Sequence, residues 1–174
     1  MHCGRIFLHI LLALFWSGIA CAQDAATVRL GFLVNFARYV EWPEAVLKPE
    51  NPLKICLAPG DSAMASQFGE LVKQTVHGRA IQVKQAVRPS DAGGCQVLYL
   101  PSELPTSSVG AWLDVVAKSG VLTVGEIPDF IEMGGMIGLV SVSGRYRFDI
   151  NLGMARQADL RISTYVLKLA RTVK

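Results

Sequence analysis

Histidine is nearly missing from this chain: three among 174 residues, and two of them, His2 and His9, fall in the first 22. With His77 alone in the remainder, no two-histidine metal site is available, and a serine–histidine–acid triad would have to rest on that one ring. No G-x-S-x-G elbow presents a nucleophilic serine. The glycines have neither Walker nor Rossmann spacing, which removes the usual phosphate and dinucleotide loops. Beyond residue 22 there is no C-x-x-C and no cysteine beside a histidine, so nothing marks a thiol of lowered pKa. Low-complexity stretches and internal repeats are absent too. Charge of one sign is also scarce. Arg5 is the only charged residue of the first 22, so the remainder carries 16 of the 17 Lys+Arg against all 14 Asp+Glu, a net charge of +2. That balance excludes the strong basic stripe of a nucleic-acid binder.

What is present begins at the N-terminus. Arg5 is followed by the apolar run Ile6–Trp16 and then by Ala20-Cys21-Ala22. A basic start, a short apolar middle and an A-x-A end read as a secretory signal peptide over 1–22. The run is shorter than the ~20 apolar residues of a spanning helix, which disfavours a retained anchor. Lipidation at Cys21 is a further alternative, weakened by the lack of leucine three residues before it. Residues 23–174 are then one exported domain, long enough to bury a core. Only Cys56 and Cys95 remain in it. An even pair in an oxidising compartment reads as one disulfide. It would close a loop of about 40 residues, worth roughly 4 kcal/mol in the chain-entropy model. Two reduced, buried thiols are the alternative.

Along the chain, Val28, Phe32, Phe36 and Tyr39-Val40 recur at helical spacing and predict a helix over 25–40, ended by Glu41-Trp42-Pro43. A proline-rich loop follows, then a strand over 53–58 and a helix over 62–74 capped by Asp61 or Ser62. Strands are expected over 80–84, 96–100 and 121–124, with a helix over 106–118 ended by Gly120. Residues 136–142 and 146–150 flank Ser143-Gly144-Arg145 as a β-hairpin. A helix over 160–172 closes the chain, burying Ile162, Val166, Leu169 and Val173 and gathering Arg161, Lys168 and Arg171 on another face. Strand–helix alternation predicts an α/β fold: a single-domain mixed, mostly parallel sheet flanked by helices, with a C-terminal β-hairpin and helix.

Candidate chemistry is sparse. His77, beside Gly78-Arg79, reads as a solvated turn residue rather than a catalyst. Gly60-Asp61-Ser62 sits between strand and helix, where α/β folds often bind ligands, but a plain helix cap explains it. Close packing or positive φ accounts for Gly134-Gly135. Asp129, Glu132 and Asp149 read as solvated charges rather than a catalytic pair. No catalytic, cofactor or metal site is expected. The candidate contact surfaces are the Tyr39–Trp42 corner and the C-terminal helix with its basic face.

Three stretches carry a resemblance. They are Leu33–Pro43 with its F-A-x-x-x-E-W-P text; Val76-His77-Gly78-Arg79 with Cys95–Leu100; and Val121–Val124 followed by Gly134-Gly135-Met136-Ile137, Arg147–Asn151 and the last helix. In this order they resemble the YfiR family of exported bacterial regulators, over essentially the whole of 23–174. The resemblance implies a periplasmic α/β protein without catalysis, often a homodimer. It implies repression of an inner-membrane diguanylate cyclase through the cyclase's periplasmic part, which keeps cyclic-di-GMP low. Cys56 and Cys95 match the family's structural cysteine pair. A second, redox-responsive bridge further along, seen in one type of member, has no counterpart here. Tyr39, Glu41, Trp42, Arg79, Arg147, Arg161 and Lys168 are the candidate residues for a partner or a ligand. The competing reading is a solute-sensing protein with a pocket lined by Trp42, Tyr99 or Trp112. A hydrolase built on His77 and a serine is a third.

Overall fold

The computed structural model describes residues 25–174; the signal peptide expected over 1–22, Cys21 included, lies outside the described residues. In chain order the elements are α1 (Ala25–Arg38), β1 (Val40–Glu41), β2 (Leu53–Leu57), α2 (Ser62–Gln67) running into a 3-10 turn (Phe68–Lys73), β3 (Thr75–Val76) and β4 (Arg79–Gln85). A 3-10 turn (Pro89–Ala92), β5 (Val97–Leu100), α3 (Thr106–Val116), β6 (Leu122–Gly125) and the hairpin β7 (Ile137–Val142) and β8 (Arg145–Ile150) follow. The chain then passes through α4 (Leu152–Gln157), β9 (Arg161–Ile162), α5 (Thr164–Leu169) and β10 (Thr172–Val173).

Eight strands form one sheet in the order β10-β8-β7-β6-β5-β2-β4-β3. Every pairing from β4 through β2, β5 and β6 to β7 is parallel. β8 runs antiparallel to β7, and β3 antiparallel to β4. The expected mixed, mostly parallel sheet with helices on both faces is what is found. Period-2 alternation divides the apolar strands between those faces. Ile55, Leu57, Val97 and Tyr99 enter one core with α1 and α2, while Cys56, Leu98 and Leu100 enter another with Val109, Trp112 and Val116 of α3. The hairpin turns on Ser143-Gly144, both at positive φ (50° and 72°), the conformation a two-residue hairpin needs. Asp61 caps α2 by accepting the Met64 amide at 2.8 Å.

Gly134 sits at φ 100°, and a Cβ on Gly135 would lie 2.2 Å from the Phe130 ring, so positive φ and close packing do account for that pair. α3 ends at Val116, four residues before Gly120. Gly120 (φ 70°) instead packs against Val46, where a Cβ would come within 2.7 Å of a valine methyl.

The end of the chain departs from the expectation of one helix over 160–172. Arg161–Ile162 pair with Val40–Glu41 as an antiparallel ladder, and Thr172–Val173 join β8 in parallel. Between them α5 is only six residues long, capped by the Ser163 hydroxyl. Ile162 and Val166 are buried as expected, but Leu169 and Val173 are 57% and 45% exposed. Strand partners distant in sequence outbid the local helical period here. Consequently Arg161, Lys168 and Arg171 do not share a helix face. α4 fills a stretch to which the sequence reading had assigned no element, capped by Asn151, whose carboxamide oxygen accepts the Met154 amide.

Candidate functional site

The last turn of α1 delivers the chain to β1 and then to Trp42-Pro43. The Trp42 indole nitrogen donates to the Gly120 carbonyl at 2.9 Å, which pins the ring against the loop after α3. So held, the half-buried ring stands between two clefts. One, of about 590 Å³, is lined by Glu41, Trp42, Pro43, Arg156, Asp159, Leu160 and Arg161. The other, of about 260 Å³, has Leu47, Leu53 and Val76 for its floor, with Glu41, His77 and Arg79 among its lining. Glu41 and Arg161 face each other in the β1–β9 register. Among the described residues none of Glu41, Arg156, Asp159 and Arg161 is in an ion pair, so the larger cleft offers two cations and two carboxylates around an aromatic wall. His77, at φ 50°, is an exposed turn residue without a side-chain hydrogen bond among the described residues.

Four of the seven candidate residues therefore converge: Glu41, Trp42, Arg79 and Arg161. Tyr39 faces elsewhere. Its ring packs on that of Tyr165 with centroids 5.2 Å apart, at one wall of an aromatic groove of about 210 Å³. Phe32, Phe36, Phe148 and Val166 form the base of this groove, and Leu169 closes it. Lys168 lies on α5 beside it, exposed. Arg147 sits apart, opposite Val140 in the hairpin, and reaches neither the clefts nor the groove.

A partly buried ionic cluster ties α1 to the carboxyl ends of the central strands. The Arg29 guanidinium donates to Asp61 at 2.6 Å and to the Tyr146 hydroxyl at 3.2 Å, and its Nε lies 3.5 Å from Glu126. The Tyr99 hydroxyl, wholly buried, faces Glu126. Two carboxylates thus share one guanidinium. Burial pushes the Glu126 carboxyl above the ordinary carboxylate range, and Arg29 only partly offsets it. Burial likewise pushes the Tyr99 hydroxyl up. Burial works against the charge of Arg29, but Tyr146, Glu126, Tyr99 and Asp61 outweigh it and hold the guanidinium ionised. This spot lies where the chain leaves β2 and β5 toward opposite faces, the crevice in which α/β sheets bind ligands. Here Arg29 occupies it.

The three carboxylates weighed from sequence are not brought together. Asp149 takes two hydrogen bonds from Arg171, Glu132 pairs with Lys174, and Asp129 is exposed. Cys56 and Cys95 are bonded to each other, with Cα atoms 6.1 Å apart. The bridge joins β2 to the entry of β5, within the α3-side core. Sequence reasoning missed Arg29, Arg156, Asp159, Tyr165 and Leu169. Arg29 carried a signal: a cation within the apolar stretch of α1, four residues from the buried Leu33, requires a buried acid.

Among the described residues no helix is long and apolar enough to cross a membrane. No curated protein matches the chain. Solved structures do. A conserved domain protein from Vibrio cholerae O1 biovar El Tor is similar at 16% identity and a TM-score of 0.54, over 86% of this chain and 60% of that one. The ABC domain from Streptococcus pneumoniae, in complex with L-Trp, is similar at 16% identity and a TM-score of 0.52, over 75% of this chain and 58% of that one. The chain thus spans about three fifths of each, and at this identity the likeness is one of fold. A family model described as YfiR/HmsC-like matches residues 26–171. It takes in α1, the whole central sheet but its last edge strand, both clefts and the aromatic groove, and on that match the chain belongs to the YfiR/HmsC-like family.

Proposed function

We propose that this chain is a periplasmic regulator of cyclic-di-GMP signalling that restrains a membrane-bound diguanylate cyclase by binding the cyclase's periplasmic part. The observation that carries the reading is the family match over 26–171. Three features support it. The leader reads as an export signal, Cys56 and Cys95 form the bridge expected of an exported chain, and the described residues offer two clefts and an aromatic groove as recognition features. Repression would work by population shift. A regulator that binds the inactive state of its receptor more tightly than the active one holds cytoplasmic output down by that difference in affinity. Intracellular cyclic-di-GMP is the test. Deleting the gene raises it and restoring the gene lowers it again; unchanged levels in both strains contradict the proposal.

A second reading, compatible with the first, is that a periplasmic solute tunes the regulator. The clefts flanking Trp42 favour it, since each joins an aromatic wall to charged groups of both signs. The Streptococcus pneumoniae neighbour, whose structure holds L-Trp, makes that amino acid the first ligand to try. L-Trp then raises the melting temperature of the wild-type protein and leaves that of Trp42→Ala unmoved. An equal response, or none, removes the reading.

A further inference from the structure

The aromatic groove has a charge pattern that names its occupant. Tyr165 and Leu169 are more than half exposed, and Tyr39 is 38% exposed, over a floor of buried Phe148 and Val166. Large apolar side chains left open around a concave floor are a recognition feature. The Tyr39–Tyr165 pair is already stacked, so little side-chain freedom is lost when something seats against it. The helical walls of the groove carry no acid, and the one acid of β8, Asp149, is paired with Arg171. There is no Asp or Glu in α1, and none between residues 160 and 174. Cations are there instead. Among the described residues Arg38 bonds only the neutral carboxamides of Asn35 and Gln74, and Asn35 itself lines the groove. Lys168, three residues from Tyr165 and next to Leu169, has no ion-pair partner among the described residues.

We infer that the groove is the docking site for an acidic segment of the partner protein, one that inserts an aromatic or aliphatic anchor and lays Asp or Glu against Arg38 and Lys168. The inference rests on the proposed function for the partner's identity and adds the surface and the chemistry that recognises it. A second copy packed face to face on this groove would set cation against cation, which disfavours self-association there. A membrane surface would also match the charge, but the apolar floor is recessed, which suits an inserted side chain rather than a flat bilayer.

The test measures binding of the mature chain to the purified periplasmic domain of a membrane diguanylate cyclase from the same cell. Wild type, Tyr165→Ala, Leu169→Ala and Lys168→Glu are compared after circular dichroism shows each to be folded; all three positions are exposed. Tyr165→Ala and Leu169→Ala each weaken binding by about tenfold or more, as anchor contacts do. Lys168→Glu weakens it too, and rising salt narrows its difference from wild type. Binding by wild type with all three variants within twofold overturns the groove and leaves the proposed function standing. No binding by wild type to any such domain overturns both. Two further outcomes overturn the inference by naming another occupant: groove-dependent binding to phosphatidylglycerol vesicles without binding to the domain, or a dimer in sedimentation that Tyr165→Ala dissolves.

Discussion

The two faces of the central sheet are built to different ends. On the α3 face the core is closed: Trp112 and Phe130 are buried, Phe130 lies flat against Gly125 and Gly135, and Cys56–Cys95 staples β2 to β5. The α1 face holds the larger core, yet it accepts a half-buried guanidinium with two carboxylates and opens into two clefts and an aromatic groove. A face that serves only stability can be apolar and sealed. A face that recognises something must keep polar groups and exposed rings where packing alone would remove them. Under the proposed function, the contrast divides the labour between fold and recognition.

Breaking the bridge has the largest expected effect. Cys56→Ser lowers unfolding free energy by up to about 4 kcal/mol, the chain-entropy value for a loop of this size, and a denaturant titration reads it. Next comes Gly135→Ala. Its Cβ would collide with Phe130, an overpacking that costs roughly 1–3 kcal/mol at the same readout. Both act through the sealed face and leave cleft and groove chemistry alone.

The remaining expected effects are smaller, and two of them depend on pH. The folded-state pKa of Glu126 is raised, so its contribution is most favourable below the unfolded value of about 4.3 and is lost as pH rises through the folded value. Glu126→Gln removes that loss and flattens the wild-type decline above the ordinary carboxylate range. Asp149 behaves oppositely. Hydrogen bonds from Arg171 hold its pKa down, so its contribution is present above the ordinary value and is lost as pH falls through the lowered one. Asp149→Asn therefore removes part of the acid-side loss. Denaturant midpoints across a pH series separate the two slopes. Last, Tyr165→Ala changes stability by less than about 0.5 kcal/mol, because the ring is mostly exposed.

The central sheet and α3 were more legible in sequence than the end of the chain. Apolar strands such as Val97–Leu100, the helix expected over 106–118, which ends at Val116, and the Ser143-Gly144 turn follow from local pattern. Residues 151–174 were not legible. Ile162, Val166, Leu169 and Val173 recur as a helix face would, but Arg161–Ile162 and Thr172–Val173 find strand partners some 120 and 20 residues away, which no local period announces. α1 was read with a stripe through Val28, Phe32 and Phe36. Phe36 and Val40 of that stripe are buried, but the buried side also takes in Leu30, Leu33 and Ala37, which leaves Phe32, Asn35 and Tyr39 to line the groove. The Trp42 corner was found because aromatics beside a proline stand out. Arg156 and Asp159 were missed because they arrive from α4, and the Arg29 cluster because only the sheet order brings Asp61, Tyr99 and Glu126 together.

The division of labour is tested most directly by intracellular cyclic-di-GMP in a deletion strain given back one of three genes: wild type, Tyr165→Ala with Leu169→Ala, or Val115→Ala, an exposed position on α3. Low cyclic-di-GMP is expected with wild type and with Val115→Ala, and the raised level of the deletion strain with the groove variant at equal protein abundance. Full repression by the groove variant, or loss of repression through Val115→Ala, would contradict it.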